Sequence, residues 1–429
     1  MLDKLNSASE DFDLTVSSAA KADVWKVEPS AVAKNCRNLI REVVDTLDLQ
    51  PNPAKSVIAL SLGDPTIYGN LAPPPEAVKA VVAATEGGGY NGYAPSVGYN
   101  RARSAVADYV SYDGVRYEAR DVILCSGCSS ALEMCITVLA DSGKGQNILI
   151  PRPGFSIYRT LAEAVGVNVK YYDLIPENNW EADLQHLEDQ VDAKTAAIVV
   201  VNPSNPCGSV YSGRHLADIL DLASKYRLPV IADEIYERLV FPGTGFVSVA
   251  SLHSGVPILI CGGLAKRFLA PGWRLGWILL HDEVGAFDAI REGLTRLSQR
   301  TIGSNTLIQG ALADIFKNTP QSFHEALVAT LHRHALVTYD RLCDAKGLTP
   351  YMPDGAMYML VEVHLKRFPE FETSLDFVKA MMEEESVFCL PGDCFGISGF
   401  VRIVLTVPED LLMKACDRIR DFCNNHYRF

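Results

Sequence analysis

Positive charge is in short supply in this chain: 39 lysines and arginines face 52 aspartates and glutamates over 429 residues, a formal net charge of −13. That balance excludes a general nucleic-acid or anionic-membrane binder, so any anionic ligand must be held by local arginines and helix ends. Long apolar runs are also missing. None reaches the ~18 residues of a membrane span, and the opening MLDKLNSASEDFDL is acidic and polar, unlike a signal or transit peptide. The nine histidines show neither H-E-x-x-H nor Cys/His ligand spacing, so no metal site is expected. Repeats and low-complexity stretches are absent. The eleven cysteines sit largely inside apolar runs (Cys125, Cys135, Cys261, Cys389), which reads as reduced core thiols in a cytoplasmic protein.

What the chain does have is apolar residues, 48% of the total, and length enough for two or three folding units at ~150 residues each. Val32 to Leu49 has helical spacing and is closed by Pro51-Asn52-Pro53; Val57 to Leu62 is strand-like. From Asp121 a pattern repeats: a short all-apolar run, a turn, then an amphipathic helix. Val122–Cys125, Ile148–Ile150, Ala196–Val201, Pro229–Ala232 and Ile258–Cys261 are such runs. They imply strands buried on both faces, hence a mostly parallel sheet between helices. A long helical stretch from about Glu283 to Leu342 follows, and then a smaller α+β unit containing Ala356–Val363 and Val401–Leu405.

Ligands gather at the carboxyl ends of strands in such a sheet, and five strand ends carry chemically pointed residues. Lys266 lies in GGLAKRFLAPGWRLGW, just past a buried strand, with Arg274 close behind. Desolvation makes an amine a better nucleophile, with a Schiff base to an aldehyde as the product, and a guanidinium fork suits a phosphate. Pyridoxal 5'-phosphate is the aldehyde that carries one. Gly127-Cys128-Ser129, between a strand and a helix, makes an anion cradle. The same stretch also approximates a hydrolase nucleophile elbow at Ser129 and, with Cys125, a dithiol C-x-x-C. The elbow lacks its final glycine, and Cys125 should face the core.

Asp233 ends its strand, and it shares a ligand with Tyr236 only if the chain bends out there. Asn205 lies in the stiff, proline-rich loop Asn202 to Gly208. Phe155, after Pro153-Gly154, could stack on a flat ring, or belong to the core. Arg402 is the one charge in Phe400–Leu405; a substrate carboxylate or an internal salt bridge explains it equally well. Gly87 to Gly92 matches G-x-G-x-x-G but follows a helical pattern, so a dinucleotide site fails its context test.

Together these residues resemble the fold type I, class I/II pyridoxal-phosphate-dependent aminotransferases, from about Trp25 to Tyr427, and within them the members acting on tyrosine and other aromatic amino acids. Ser61 to Thr66, Tyr90 to Ser96, Asn202 to Val210 and Gly262 to Arg267 carry the resemblance. It implies an α/β large domain over 76–310 and a smaller α+β domain from 25–75 and 311–429; residues 1–24 show no apolar period and are expected to form a flexible arm. It implies that Lys266 forms the Schiff base and then shuttles a proton. Asp233 pairs with the pyridine nitrogen, Asn205 and Tyr236 bond the ring oxygen, and Phe155 stacks on the ring. Gly127, Cys128, Ser129 and Arg274 hold the phosphate. Tyr93 reaches the phosphate of a neighbouring subunit in a homodimer with shared sites. Arg402 binds the substrate α-carboxylate, with Gly63 and Asn205 near it. Many members carry a serine three positions before the lysine; here that position is Gly263. The implied reaction moves an amino group from tyrosine or another aromatic amino acid to a 2-oxo acid such as 2-oxoglutarate. An alanine-type or broad-specificity transaminase and a cysteine-conjugate β-lyase share the same fold.

Overall fold

The computed structural model describes residues 27–46, 49–111 and 114–429; the arm expected over 1–24 lies outside them. Eight strands form the main sheet, in the order Val122–Cys125, Gly276–His281, Ile258–Gly263, Val230–Asp233, Thr195–Val201, Asn147–Arg152, Asn168–Ile175 and Glu181–Ala182. The five strands from Ile258–Gly263 to Asn168–Ile175 pair in parallel. Gly276–His281 runs antiparallel to both its neighbours, and Glu181–Ala182 antiparallel to its one.

The apolar runs are continuous because both sheet faces are covered. Side chains alternate along a strand, so Val199, Ile231 and Leu259 enter one core while Ile198, Val230 and Ile258 enter the other. Each such side chain, fully buried, stabilises by about 1.5–3 kcal/mol. The strand Gly276–His281 is an addition to the expected set. Being antiparallel, it enters the sheet at the edge where its neighbours end, and this brings Arg274 back to the cavity that Lys266 lines.

The second unit is built on an antiparallel sheet in the order Leu348–Pro350, Tyr358–Val363, Phe400–Val404 and Leu390–Pro391. Ile58–Ala59 pairs in parallel with Val387–Phe388, tying the N-terminal segment to this unit.

Three expected elements differ. The helix over Val32 to Leu49 is two helices, Ala31–Asn35 and Leu39–Thr46. Between them Thr160 Oγ1 donates to the Arg37 carbonyl at 2.8 Å, and Asn38 Oδ1 accepts the Arg41 N–H at 3.1 Å, so side chains replace the helical ladder. The strand over Val57 to Leu62 pairs as strand at Ile58–Ala59 alone; the Ser61 carbonyl bonds Arg402 instead. The helical stretch after Glu283 is three helices, Asp288–Ser298, Thr306–Asn318 and Gln321–Leu342. Asn305 caps the second, and Pro320 precedes the third.

Candidate active site

The strand Val122–Cys125 leads into the helix Cys128–Leu139 through Gly127, whose φ of +85° is the left-handed region that glycine tolerates. A Cβ there would also lie 2.5 Å from Arg274 Nη2. Glycine therefore lets the guanidinium lie against the helix start. Arg274 donates from Nη1 to the Pro271 carbonyl at 2.8 Å and from Nη2 to the Ser126 carbonyl at 3.2 Å. Free N–H groups at a helix start beside a guanidinium form an anion cradle.

Asp233 ends its strand, and the next residues turn away from the sheet. Its carboxylate is buried, and accepts from Tyr158 Oη at 2.8 Å, the Ile235 N–H at 3.2 Å and Cys128 Sγ at 3.7 Å. Burial raises its pKa above the ordinary carboxylate range, while those three donors and the Lys266 charge oppose the rise. Burial, then the neighbouring carboxylate, pushes the Cys128 thiol well up, so it stays a protonated donor.

Lys266 follows the strand Ile258–Gly263 and donates from Nζ to the Gly63 carbonyl at 2.5 Å. Tyr236 and Tyr358 share a hydrogen bond between their hydroxyls at 2.7 Å. The Arg402 guanidinium carbon lies 4.2 Å from the Tyr358 ring centre and 4.6 Å from that of Phe395. Arg402 is 2% exposed. It donates to Asn205 Oδ1 at 2.8 Å and to the Ser61 carbonyl at 2.6 Å, and its Nε has no partner among the described residues. Burial raises the pKa of the Tyr358 phenol, but Lys266, Arg402 and the bond with Tyr236 outweigh it and leave the net shift downward. Gly63, Asn205, Tyr236, Lys266, Tyr358 and Arg402 line one cavity of about 270 Å³.

The family model for aminotransferase class I and II matches residues 55–419. The chain belongs to the class I and II aminotransferases. It is 51% identical to the tyrosine aminotransferase of Mus musculus, over 94% of this chain and 88% of that one. The Dictyostelium discoideum tyrosine aminotransferase is 43% identical over 94% of this chain and 97% of its own. Among solved structures, the tyrosine aminotransferase of Leishmania infantum superposes with a TM-score of 0.89 at 34% identity, covering 94% of this chain and all, 100%, of that one. Alanine aminotransferase from Pyrococcus furiosus reaches 0.86 at 28% identity, over 93% and 100%.

The transaminase cavity gathers most residues singled out from the sequence. Gly63, Cys128, Ser129, Phe155, Asn205, Asp233, Tyr236, Lys266, Arg274 and Arg402 all line it, and Gly127 packs against Arg274. Tyr93 does not. It is 88% exposed and lines a separate groove with Tyr90 and Asn305. Cys128 turns its thiol to Asp233, leaving its backbone to the anion cradle. Cys125 is buried and unpaired, its thiol beside Met134, which counts against a dithiol centre. The glycine-rich stretch follows the helix Pro75–Glu86, not a strand. At Gly263 a Cβ would stand 2.8 Å from the Leu275 carbonyl, so the antiparallel strand excludes a serine there.

Sequence pattern did not point to Tyr158, Tyr358 or Ser61. Tyr158 sits at the start of the helix Ile157–Ala164, three residues past Phe155, and that proximity is the one signal the sequence offers. Among the described residues no helix is long and apolar enough to cross a membrane, and no cluster of three or more His, Cys, Asp or Glu is arranged for a metal.

Proposed function

We propose that this transaminase uses pyridoxal 5'-phosphate to move the amino group of tyrosine and other aromatic amino acids to a 2-oxo acid such as 2-oxoglutarate. One observation carries the reading: a single cavity joins an amine, a buried carboxylate, an anion cradle and a buried guanidinium with a free donor. The donor set fits the cofactor group by group. The aromatic preference is supported by the names of the relatives that match over 94% of the chain.

When bound, the cofactor supplies an aldehyde carbon and a protonated ring able to take up an electron pair. The chain's own residues do the rest. The helix start at Gly127 to Ser129, with Arg274, holds the phosphate. Phe155 covers one ring face, and Tyr236 and Asn205 bond the ring oxygen. Asp233, backed by Tyr158, would pair with the ring nitrogen and keep it protonated; burial raises the carboxyl's pKa, its three donors pull it back toward the charged form, and a cationic ring partner would pull the same way. Lys266 would hold the aldehyde and, as a free amine, would accept the proton that leaves the substrate Cα. Arg402 binds the α-carboxylate through its unpartnered Nε. Exposed Tyr93 supports a homodimer in which it reaches the neighbour's phosphate, and eleven unpaired cysteines support a cytoplasmic location.

The test is a half-reaction. Record the violet absorbance of the purified protein, then add tyrosine, phenylalanine, alanine or aspartate without an oxo acid. Bleaching by tyrosine, absent in Lys266→Ala, is the expected result. Bleaching mainly by alanine keeps the chemistry and moves the substrate; a colourless protein after soaking with pyridoxal phosphate overturns the reading.

A further inference from the structure

Lys266, Arg274 and Arg402 each have a role in the proposed transamination. Arg41, in the first turn of the helix Leu39–Thr46, lines the same cavity and has none. Its place is built into the fold. The preceding Arg37 carbonyl accepts from Thr160 at 2.8 Å, Asn38 Oδ1 accepts the Arg41 N–H at 3.1 Å, and the Cys394 thiol lies 3.8 Å from the Leu39 carbonyl. Ile40 is buried in a small core with Leu390, Cys394 and Phe395. Phe395 in turn stacks on Arg402, 4.6 Å from its guanidinium carbon. The turn carrying Arg41 thus packs against the floor under Arg402, where a substrate's α-carboxylate would bind.

A 2-oxo dicarboxylate brings two anionic ends into this cavity. Arg402 can neutralise one. The other would remain an uncompensated carboxylate in a half-enclosed site, which is costly unless a second cation meets it. We propose that Arg41 receives the distal carboxylate of a dicarboxylic substrate, a 2-oxo diacid in one half-reaction and the corresponding amino diacid in the other. This inference rests on the proposed transaminase function. Arg41 is free to play that part, because its side chain is 57% exposed and pairs with Asp45 at 2.8 Å, one turn along the same helix. Such an exposed pair is weak enough for a ligand carboxylate to displace. The pair also gives the guanidinium a resting place when the substrate side chain is an uncharged ring.

The test uses the holoenzyme and two unreactive acids, glutarate and butyrate, which differ by the second carboxylate. Binding is read by calorimetry and by the change in cofactor absorbance. In Arg41→Gln the ratio of the two dissociation constants should shift against glutarate by about tenfold or more, the loss expected for a charge-assisted hydrogen bond. The ratio of KM for 2-oxoglutarate to KM for pyruvate should move the same way. Asp45→Ala, which frees the guanidinium, should tighten glutarate relative to butyrate, a gain that a damaged fold does not produce. Equal changes for both acids in Arg41→Gln, with tyrosine still bleaching the wild-type cofactor, would overturn the role of Arg41 and leave the transaminase function intact. A wild-type protein that takes up no cofactor would overturn both.

Discussion

Tyr158 donates a 2.8 Å hydrogen bond to Asp233 Oδ2 inside the core, and both side chains are almost wholly buried, at 1% and 3% exposure. Burial raises the Asp233 pKa and Tyr158 is the leading group that pulls it back. Tyr158→Phe should therefore raise it further and weaken the carboxylate's hold on a ring nitrogen. A hydrogen bond to a charged group contributes about 1.5–3 kcal/mol, so kcat/KM at neutral pH should fall about tenfold to a hundredfold. The acidic limb of the pH profile should move to higher pH. A pH–rate series on the loaded enzyme checks both, and an unmoved limb would reduce Tyr158 to a packing role.

Gly127→Ala should loosen cofactor binding. The substitution places an L-residue at φ +85° and sets a Cβ 2.5 Å from Arg274 Nη2, so the guanidinium must leave the helix start. Backbone strain of this kind costs on the order of 1–3 kcal/mol. The dissociation constant for pyridoxal phosphate, titrated by absorbance into stripped protein, should rise about tenfold or more.

A Cβ at Gly63 would lie 2.2 Å from Tyr358 Oη and 3.0 Å from the ring carbon that bears it. Gly63→Ala should thus displace Tyr358 and break its bond with Tyr236, costing about 1–3 kcal/mol as overpacking does. Adding Tyr358→Phe removes the worst contact and should restore part of the loss. Denaturant unfolding of the single and double variants gives the coupling directly; strictly additive effects would contradict the contact.

Glu234 carries a pH signature. Its buried carboxylate accepts from Ser248 Oγ at 2.9 Å and the Val249 N–H at 2.9 Å, yet burial pushes its pKa from 4.5 to about 8. Between those values the folded protein holds a proton that the unfolded chain releases. The stability this group lends is complete below pH 4.5 and is lost as pH rises through about 8. Glu234→Gln should remove that slope. Relative to the parent protein it should gain stability from pH 5 to pH 9, by on the order of a few kcal/mol at ~1.4 kcal/mol per pKa unit. Chemical denaturation at both pH values measures it.

The large sheet is legible in the sequence because buried parallel strands read as unbroken apolar runs. Asp233, Asn205 and Lys266 stand out because each ends such a run or follows it within a few positions, and all three line the cavity. Gly276–His281 does not, although it is buried at every position, because it follows the lysine loop closely and breaks the strand–turn–helix rhythm. The two short helices before Leu49 read as one, since the contacts that separate them come from Thr160 and Asn38 side chains, not from a helix-breaking residue.

Local pattern alone determined which residues stand at strand ends, because burial and turn chemistry act over a few neighbouring positions. Which of them touch was decided by the tertiary structure. The Tyr158–Asp233, Tyr236–Tyr358 and Arg402–Asn205 bonds span 75, 122 and 197 residues of chain. Among the described residues Arg402 forms no salt bridge; the fold sets it between Tyr358 and Phe395 with its Nε unpartnered there. Hydrogen bonds act over about 3 Å, and only tertiary packing, of a helix on the main sheet for Tyr158–Asp233 and of the second sheet against the first for the other two, brings such distant groups that close.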